Sequence, residues 1–108
     1  MTPPVTDPAA VAATVRDAAL AVPGVIHLTP GSGVEVATQF AGGKVTGVRL
    51  GDHVEVHVAV DRSPITLIAE QVWIAVRTAL DGSGQVRPVE VVVDDVDLAV
   101  LTAGVPGR

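Results

Sequence analysis

The stretch HVEVHVAV, residues 53–60, alternates apolar and polar side chains almost without a break. Successive side chains of an extended strand point to opposite faces, so this period of two predicts a β-strand with one buried and one solvated face. The two faces carry different residues: Val54, Val56, Val58 and Val60 on one, and His53, Glu55, His57 and Ala59 on the other. Just before the strand, Gly51 and Asp52 predict a two-residue hairpin turn, which favours an antiparallel partner.

A first helix is predicted before the strand-rich middle of the chain. Asp7 is a favourable N-cap, and Pro8 suits the first helical position because its missing N–H would be unpaired there anyway. The helix is expected to end near Leu20 or Val22, before Pro23 and Gly24. Its apolar residues recur at the helical period on one face: Val11, Val15, Ala18, Ala19 and Val22.

A second helix is predicted after the strand. Ser63 is the expected cap and Pro64 the expected first residue, and the helix should run to about Leu80 or Asp81. The Gly-Ser-Gly sequence at 82–84 ends it. The predicted core stripe is Ile65, Ala69, Val72, Trp73, Val76 and Leu80, with Ile68 and Ala79 on its flanks.

The remaining β-prone segments lie at 25–29, 34–40, 44–50 and 86–96. The pattern predicts an α+β fold of order α-β-β-β-α-β, a two-layer sandwich with both helices packed on one face of a mixed, mainly antiparallel sheet. A chain of 108 residues suits one domain. We expect this domain to span residues 8–98, with flexible tails at 1–7 and 99–108.

Composition excludes several classes of function. The chain has no cysteine, which excludes disulfides, thiolate metal sites and cysteine nucleophiles. Seven basic residues against twelve acidic ones give a net charge of −5, and there is no tyrosine, one phenylalanine and one tryptophan. Nucleic-acid binding needs basic patches and stacking aromatics, so no nucleic-acid partner is expected.

The N-terminus lacks signal-peptide features and no apolar run is long enough for direct membrane insertion.

The two histidines of the opening stretch, His53 and His57, raise the question of a metal site. A spacing of four suits chelation on a helix, but on a strand it separates the positions by roughly 13 Å, at ~3.3 Å per residue. Two such positions cannot hold one ion together, so a solvated sheet face is the favoured interpretation. A small-ligand or metal- and pH-sensing role for His53, Glu55 and His57 is the alternative.

Other candidate chemistry is weak. The acidic cluster Asp94, Asp95 and Asp97 lacks the regularly spaced acidic ligands and the distal glutamate of a calcium-binding loop. Neither Ser32 nor Ser83 lies in a nucleophile elbow, and no glycine-rich phosphate loop is present. We therefore predict no catalytic residue, no cofactor and no metal, and a protein that is not an enzyme.

One helical face offers a candidate partner-binding surface. Leu67 and Ile74 lie seven apart on the second helix, nearly opposite its core stripe. Scattered surface apolar residues are normal, which is the simpler interpretation. The functional interpretation is a contact face for a second copy or another protein, formed by Leu67 and Ile74 with Glu70, Gln71 and Arg77.

Four segments in order resemble the alkaline shock protein family of bacterial envelope stress proteins. They are AAVAATVRDAALAVPGVIHL at 9–28, VTGVRLGDHVEVHVAV at 45–60, SPITLIAEQVWIAVRTALD at 63–81 and VRPVEVVVDDVDL at 86–98. The first is similar to the family's opening helix with its V-x-G-V stop, and the last to its valine-rich final strand. The high alanine, valine and glycine content resembles that of an actinobacterial member.

The resemblance implies a non-enzymatic protein on the cytoplasmic side of the membrane, linked to envelope stress. Family members are tethered through small membrane-anchored protein partners and can self-associate, and others are connected to lipid metabolism. A homo-oligomer, a small membrane-anchored partner, or both are therefore the implied partners. The family supplies no catalytic residues that could be carried over to this chain.

Overall fold

The computed structural model describes residues 7–62 and 64–96. In these ranges the elements follow in the order α1 (Pro8–Leu20), β1 (Val25–Leu28), β2 (Ala37–Phe40), β3 (Gly43–Thr46), β4 (Val48–Leu50), β5 (Val54–Val60), α2 (Ile65–Gly82) and β6 (Val89–Val96). The predictions for residues 1–6, for Ser63 and for residues 97–108, including Asp97, lie outside the described residues.

The predicted α+β class is confirmed, with a helix, a run of strands, a second helix and a last strand in a mixed, mainly antiparallel set of sheets. The strand run is more divided than predicted. The segment 44–50 splits into β3 and β4 at Gly47, and the predicted strand 34–40 begins only at Ala37. The turn before β5 is also longer, because Leu50 pairs with Val54 and leaves three residues between them.

Strand β5 is the centre of the four-stranded sheet because other strands pair with both of its edges. β6 runs parallel to it along its whole length, from Val54 opposite Val89 to Val60 opposite Val96. β1 and β4 are antiparallel to it and pair with its second and first halves, so they share the other edge. β2 and β3 form a separate two-stranded hairpin.

Gly47 is the point at which the chain leaves the β2–β3 hairpin and enters the sheet. Its φ is +86°, and a Cβ atom at this position would lie 2.5 Å from Cβ of Leu28. Its N–H donates to the carbonyl of Val36 at 2.8 Å, and its carbonyl accepts from the N–H of His57 at 2.9 Å. Only glycine combines this backbone angle with so close an approach, and this is why the predicted strand is divided here.

Helix α1 forms as predicted. The Asp7 side chain accepts from the N–H of Ala9 at 3.1 Å, and Pro8 is the first helical residue. The buried face consists of Val11, Ala12, Val15 and Ala19, and Val22 is buried just beyond the helix end. The periodicity therefore identified the face of this helix that packs on the sheet.

Helix α2 differs from its prediction at two kinds of position. Pro64 is the N-cap and not the first helical residue, and among the described residues no side-chain hydrogen bond caps this end. Trp73 and Ile65 were predicted in the core but are 41% and 39% exposed. The buried stripe is instead Ile68, Val72, Val76 and Leu80. Trp73 lies at the rim because its indole N–H donates to the carbonyl of Val89 at 3.1 Å, which keeps the ring at the edge of β6.

The core fills the space between the helices and the inner face of the sheet. All four valines of β5 on that face are fully buried and pack against the apolar stripes of α1 and α2. Val89, Val91, Val93 and Val96 of β6 pack beside them. Burial of this valine layer supplies the main favourable term for folding.

Candidate functional site

The outer face of β5 differs most from its prediction. His57 and Ala59 were expected on a solvated face, but they are only 8% and 2% exposed. The segment 29–36 lies over this part of the face: a Cβ atom on Gly31 would come within 3.6 Å of Nδ1 of His57. The prediction of a solvated face is therefore wrong for these two residues, and at His57 the close approach of the Gly31 backbone explains the burial.

His57 lies between two carboxylates. Its Nε2 is 2.5 Å from Oε2 of Glu55, and its Nδ1 is 2.5 Å from Oδ2 of Asp94. An ionised carboxylate can only accept hydrogen bonds, so both contacts are satisfied only when both ring nitrogens carry hydrogen. The arrangement therefore suits an imidazolium ion held by two carboxylates.

Two further residues extend this cluster at its ends. The Thr29 hydroxyl donates to Oδ2 of Asp94 at 2.6 Å, and Nη1 of Arg49 donates to Oε1 of Glu55 at 3.2 Å. The cluster then alternates two cations with two anions, so its charges cancel when His57 is protonated. We call Thr29, Arg49, Glu55, His57 and Asp94 the charged network.

The register of β5 and β6 builds this network. Glu55 and His57 lie on the same outer face because they are two residues apart in β5. The pairing shifts from Val58 opposite Val93 to Ala59 opposite Asp95, which leaves Asp94 as the extra residue of a β-bulge. Bulges re-aim side chains, and here the carboxylate of Asp94 reaches the His57 ring.

The surroundings shift two pKa values in opposite directions. Burial disfavours the charged form of His57, but the hydrogen bonds and charges of Glu55 and Asp94 outweigh it, so the pKa of His57 lies above its ordinary value of 6.5. The hydrogen bond from His57, opposed by burial and assisted by the charge of Arg49, holds the pKa of Glu55 below 4.5. Both shifts favour the ion pair over its neutral form.

A second cluster lies beside the network on the same outer face. Nε2 of His53 is 3.2 Å from Oε1 of Glu90, and one ligand atom each from His53, Glu55 and Glu90 lie within 4.8 Å of one another. His57 is not a member of this group. The sequence grouping of His53, Glu55 and His57 is therefore replaced by one in which Glu90 of β6 takes the place of His57.

The structure also places the residues of the predicted partner face. Leu67 and Ile74 are 48% and 51% exposed, and Glu70 and Gln71 are exposed between them. Gln71 and Ile74 border an apolar groove of about 310 Å³ between α1 and α2, whose other wall includes Ala18, Val22 and Pro23. Arg77 is only partly exposed, and its guanidinium lies 5.3 Å from the centre of the Trp73 ring.

Sequence reasoning missed Glu90 and Asp94 of β6 and Thr29 after β1 as partners of the histidines. A helical connection between two strands favours a parallel pair, so β6 could have been placed beside β5. Residues 90 and 94 are an even number of positions apart on that strand, so a regular strand would direct both polar side chains to the same face. The register and the bulge, which bring them to His53 and His57, have no signal in the sequence.

No model of a known protein family matches this chain, and the comparisons with curated proteins and with solved structures found no match either. The likeness to the alkaline shock protein family therefore stays a prediction. Within residues 7–62 and 64–96, neither helix has the length and apolar character needed to cross a membrane.

Proposed function

We propose that this protein is a non-enzymatic interaction module that binds a protein partner through the face formed by Leu67, Glu70, Gln71, Ile74 and Arg77. The observation that carries the proposal is the half exposure of Leu67 and Ile74, together with the apolar groove between the helices that Ile74 borders. Exposed apolar side chains next to an apolar groove are typical of contact surfaces.

The face is separate from the core, which makes it available for binding. Neither Leu67 nor Ile74 belongs to the packed cluster that holds α2 against the sheet. The buried residues on the opposite side of α2 already anchor the helix. A partner that covers the face would gain the burial of these side chains without any rearrangement of the fold.

A non-catalytic role agrees with the state of the charged network. Both ring nitrogens of His57 contact carboxylates, and segment 29–36 covers the ring. A general base needs a free lone pair within reach of a substrate proton. His57 in this arrangement has none to offer, which supports a structural role for this residue.

The cellular setting of the proposal rests on the family resemblance alone. In that setting the module serves the cell-envelope stress response at the cytoplasmic face of the membrane. Its partner there is a small membrane-anchored protein, a second copy of this chain, or both. The helical face is the part of the molecule that we assign to either contact.

Self-association is the most direct test of the face. We expect light scattering across a concentration series to show a mass that rises with concentration in the wild type. The double variant Leu67→Asp, Ile74→Asp should stay monomeric with an unchanged circular dichroism spectrum. The matched control is Val34→Asp, Val86→Asp, which adds the same charge at two apolar positions that are 85% and 94% exposed elsewhere.

The control variant is expected to associate as the wild type does. A wild-type monomer at every concentration would contradict self-association. Equal loss in both double variants would show that added charge, and not this face, controls association. An unfolded Leu67→Asp, Ile74→Asp variant would place these residues in the core.

A further inference from the structure

We infer that His53, Glu55 and Glu90 form a binding site for a divalent transition-metal ion, with Zn²⁺ as the representative of the class. One imidazole nitrogen and two carboxylate oxygens already lie within 4.8 Å of one another on adjacent strands. The site is independent of the helical face proposed for partner binding.

The distances suit closure around one ion. Ligand atoms bound to one zinc ion at 2.0–2.2 Å are separated by roughly 3.3–3.6 Å in a tetrahedral arrangement. Nε2 of His53 and Oε1 of Glu90 are 3.2 Å apart, which is about that separation. The His53 and Glu90 side chains are 46% and 57% exposed, so they have room to turn the small amount that the third ligand requires.

The charges also favour a cation here. Glu55 and Glu90 are register partners in the parallel pair of β5 and β6, so two carboxylates lie side by side on one face. Like charges at such a position destabilise a sheet. Arg49 and His57 balance Glu55, whereas Glu90 contacts only the imidazole of His53 among the described residues. A divalent ion bound between the two carboxylates would offset the charge of Glu90, which the charged network leaves unbalanced.

The charged network gives the site a second shell. Metal-bound carboxylates are usually held by further hydrogen bonds, which fix their orientation. Here Arg49 and His57 hold the two oxygens of Glu55, and Asp94 holds His57 in turn. Glu55 is therefore the fixed ligand of the site, and His53 and Glu90 are the ligands that close on the ion.

The donor set selects the class of ion. Imidazole suits zinc, iron, nickel and copper, whereas a site for calcium or magnesium is built from oxygen ligands alone. Three protein ligands leave at least one position for water or for a ligand from another molecule. Since the ligands come from both β5 and β6, an ion would tie the last strand to the centre of the sheet.

The test is isothermal titration of Zn²⁺ into the untagged full chain after treatment with a chelator. We expect one ion per chain for the wild type, and a rise in melting temperature on addition of Zn²⁺. His53→Ala and Glu90→Gln should each weaken binding by about tenfold or more and lose the rise in melting temperature. Both positions are exposed, so the variants should fold.

The controls are His27→Ala and Glu35→Gln, which remove an exposed histidine of β1 and a carboxylate paired with Lys44 elsewhere. These variants should bind Zn²⁺ as the wild type does. Visible absorption of bound Co²⁺ would report the ligand geometry independently. No binding by the wild type, or equal binding by wild type and His53→Ala, would overturn the inference, and neither result would bear on the helical face.

Discussion

The two faces of β5 are built in different ways. The inner face is four buried valines that pack against two helices, and the outer face holds a chain of charges that is partly buried beneath segment 29–36. Both faces exclude much of the water around them. The inner face does so with interchangeable apolar groups, and the outer face does so only because each polar atom meets a specific partner.

This difference shows what residue alternation does and does not determine. Parity assigns each side chain to a face, because the period of a strand is two. It does not determine what covers that face. The outer side chains could be buried only with partners, and among the described residues no buried side-chain nitrogen or oxygen lacks one.

The largest expected effect is at Gly47, where the chain passes from the β2–β3 hairpin into the sheet that contains β5. Gly47→Ala would place a methyl group 2.5 Å from Leu28 and force alanine into a φ of +86°. We expect a loss of about 3 kcal/mol in the free energy of unfolding, measured by urea denaturation. Gly42→Ala is the control, since its φ is +96° but nothing lies within 4 Å. It should lose about 1 kcal/mol, and equal losses would contradict the close approach at Gly47.

The next effect tests the inner face. Val56→Ala removes two methyl groups from a fully buried position. We expect a loss of about 2 kcal/mol from the lost burial and the cavity left behind. Urea denaturation measures it, and the binding properties of the outer face should not change. A loss below about 0.5 kcal/mol would show that this side of the strand is not packed as described.

A smaller effect tests the outer face by removing one charge. Glu55→Gln leaves Arg49 and His57 without their shared anion, and we expect a loss of about 1–2 kcal/mol by urea denaturation. Glu35→Gln is the control because it breaks an exposed pair with Lys44. Exposed pairs contribute little, so this variant should lose less than about 0.5 kcal/mol. Losses of the same size would mean that the network adds no more than a surface pair.

The smallest effect is a pH dependence in metal-free buffer. Because the pKa of His57 is raised in the folded state, its contribution to stability is fully present below pH 6.5 and is lost as the pH rises through the raised value. The pKa of Glu55 is lowered, so its contribution is present above pH 4.5 and is lost as the pH falls through the lowered value. Each unit of pKa displacement corresponds to about 1.4 kcal/mol.

Stability is therefore expected to fall from pH 6 to pH 8, as measured by urea denaturation at both values. His57→Gln should be less stable than the wild type at pH 6 and should show a smaller fall between the two pH values. His27 and His53 remain in that variant and serve as internal controls. A wild type that gains stability over this range would contradict a raised pKa at His57.

The sequence predicted those parts of the fold that depend on local pattern. The faces of α1 and β5, the cap at Asp7 and the α+β order all follow from periodicity and capping. The predictions were wrong where a specific hydrogen bond opposed the position that the helical period assigns to a side chain. Trp73 has the period of a core residue, but its N–H bonds to Val89, and this holds the ring at the rim.

The candidate sites could be predicted only in part. His53 and Glu55 were named from the sequence only in the alternative interpretation, together with His57, because the three lie on one face of a strand. Glu90 and Asp94 join them through strand pairing and a bulge, which are long-range features with no local pattern. The exposed positions Leu67 and Ile74 followed directly from the helical period, because they lie opposite the buried stripe of α2.

The most direct test of the difference between the two faces of β5 is a titration of the histidine side chains by ¹H–¹⁵N nuclear magnetic resonance in metal-free buffer. For His57 we predict a pKa above 6.5 and ring nitrogens that both carry hydrogen at pH 6.5. In the Glu55→Gln variant, both the pKa of His57 and the resonances of its two ring nitrogens should change. A pKa below 6.5, or a neutral ring at that pH, would contradict the account of the outer face as a network of paired charges.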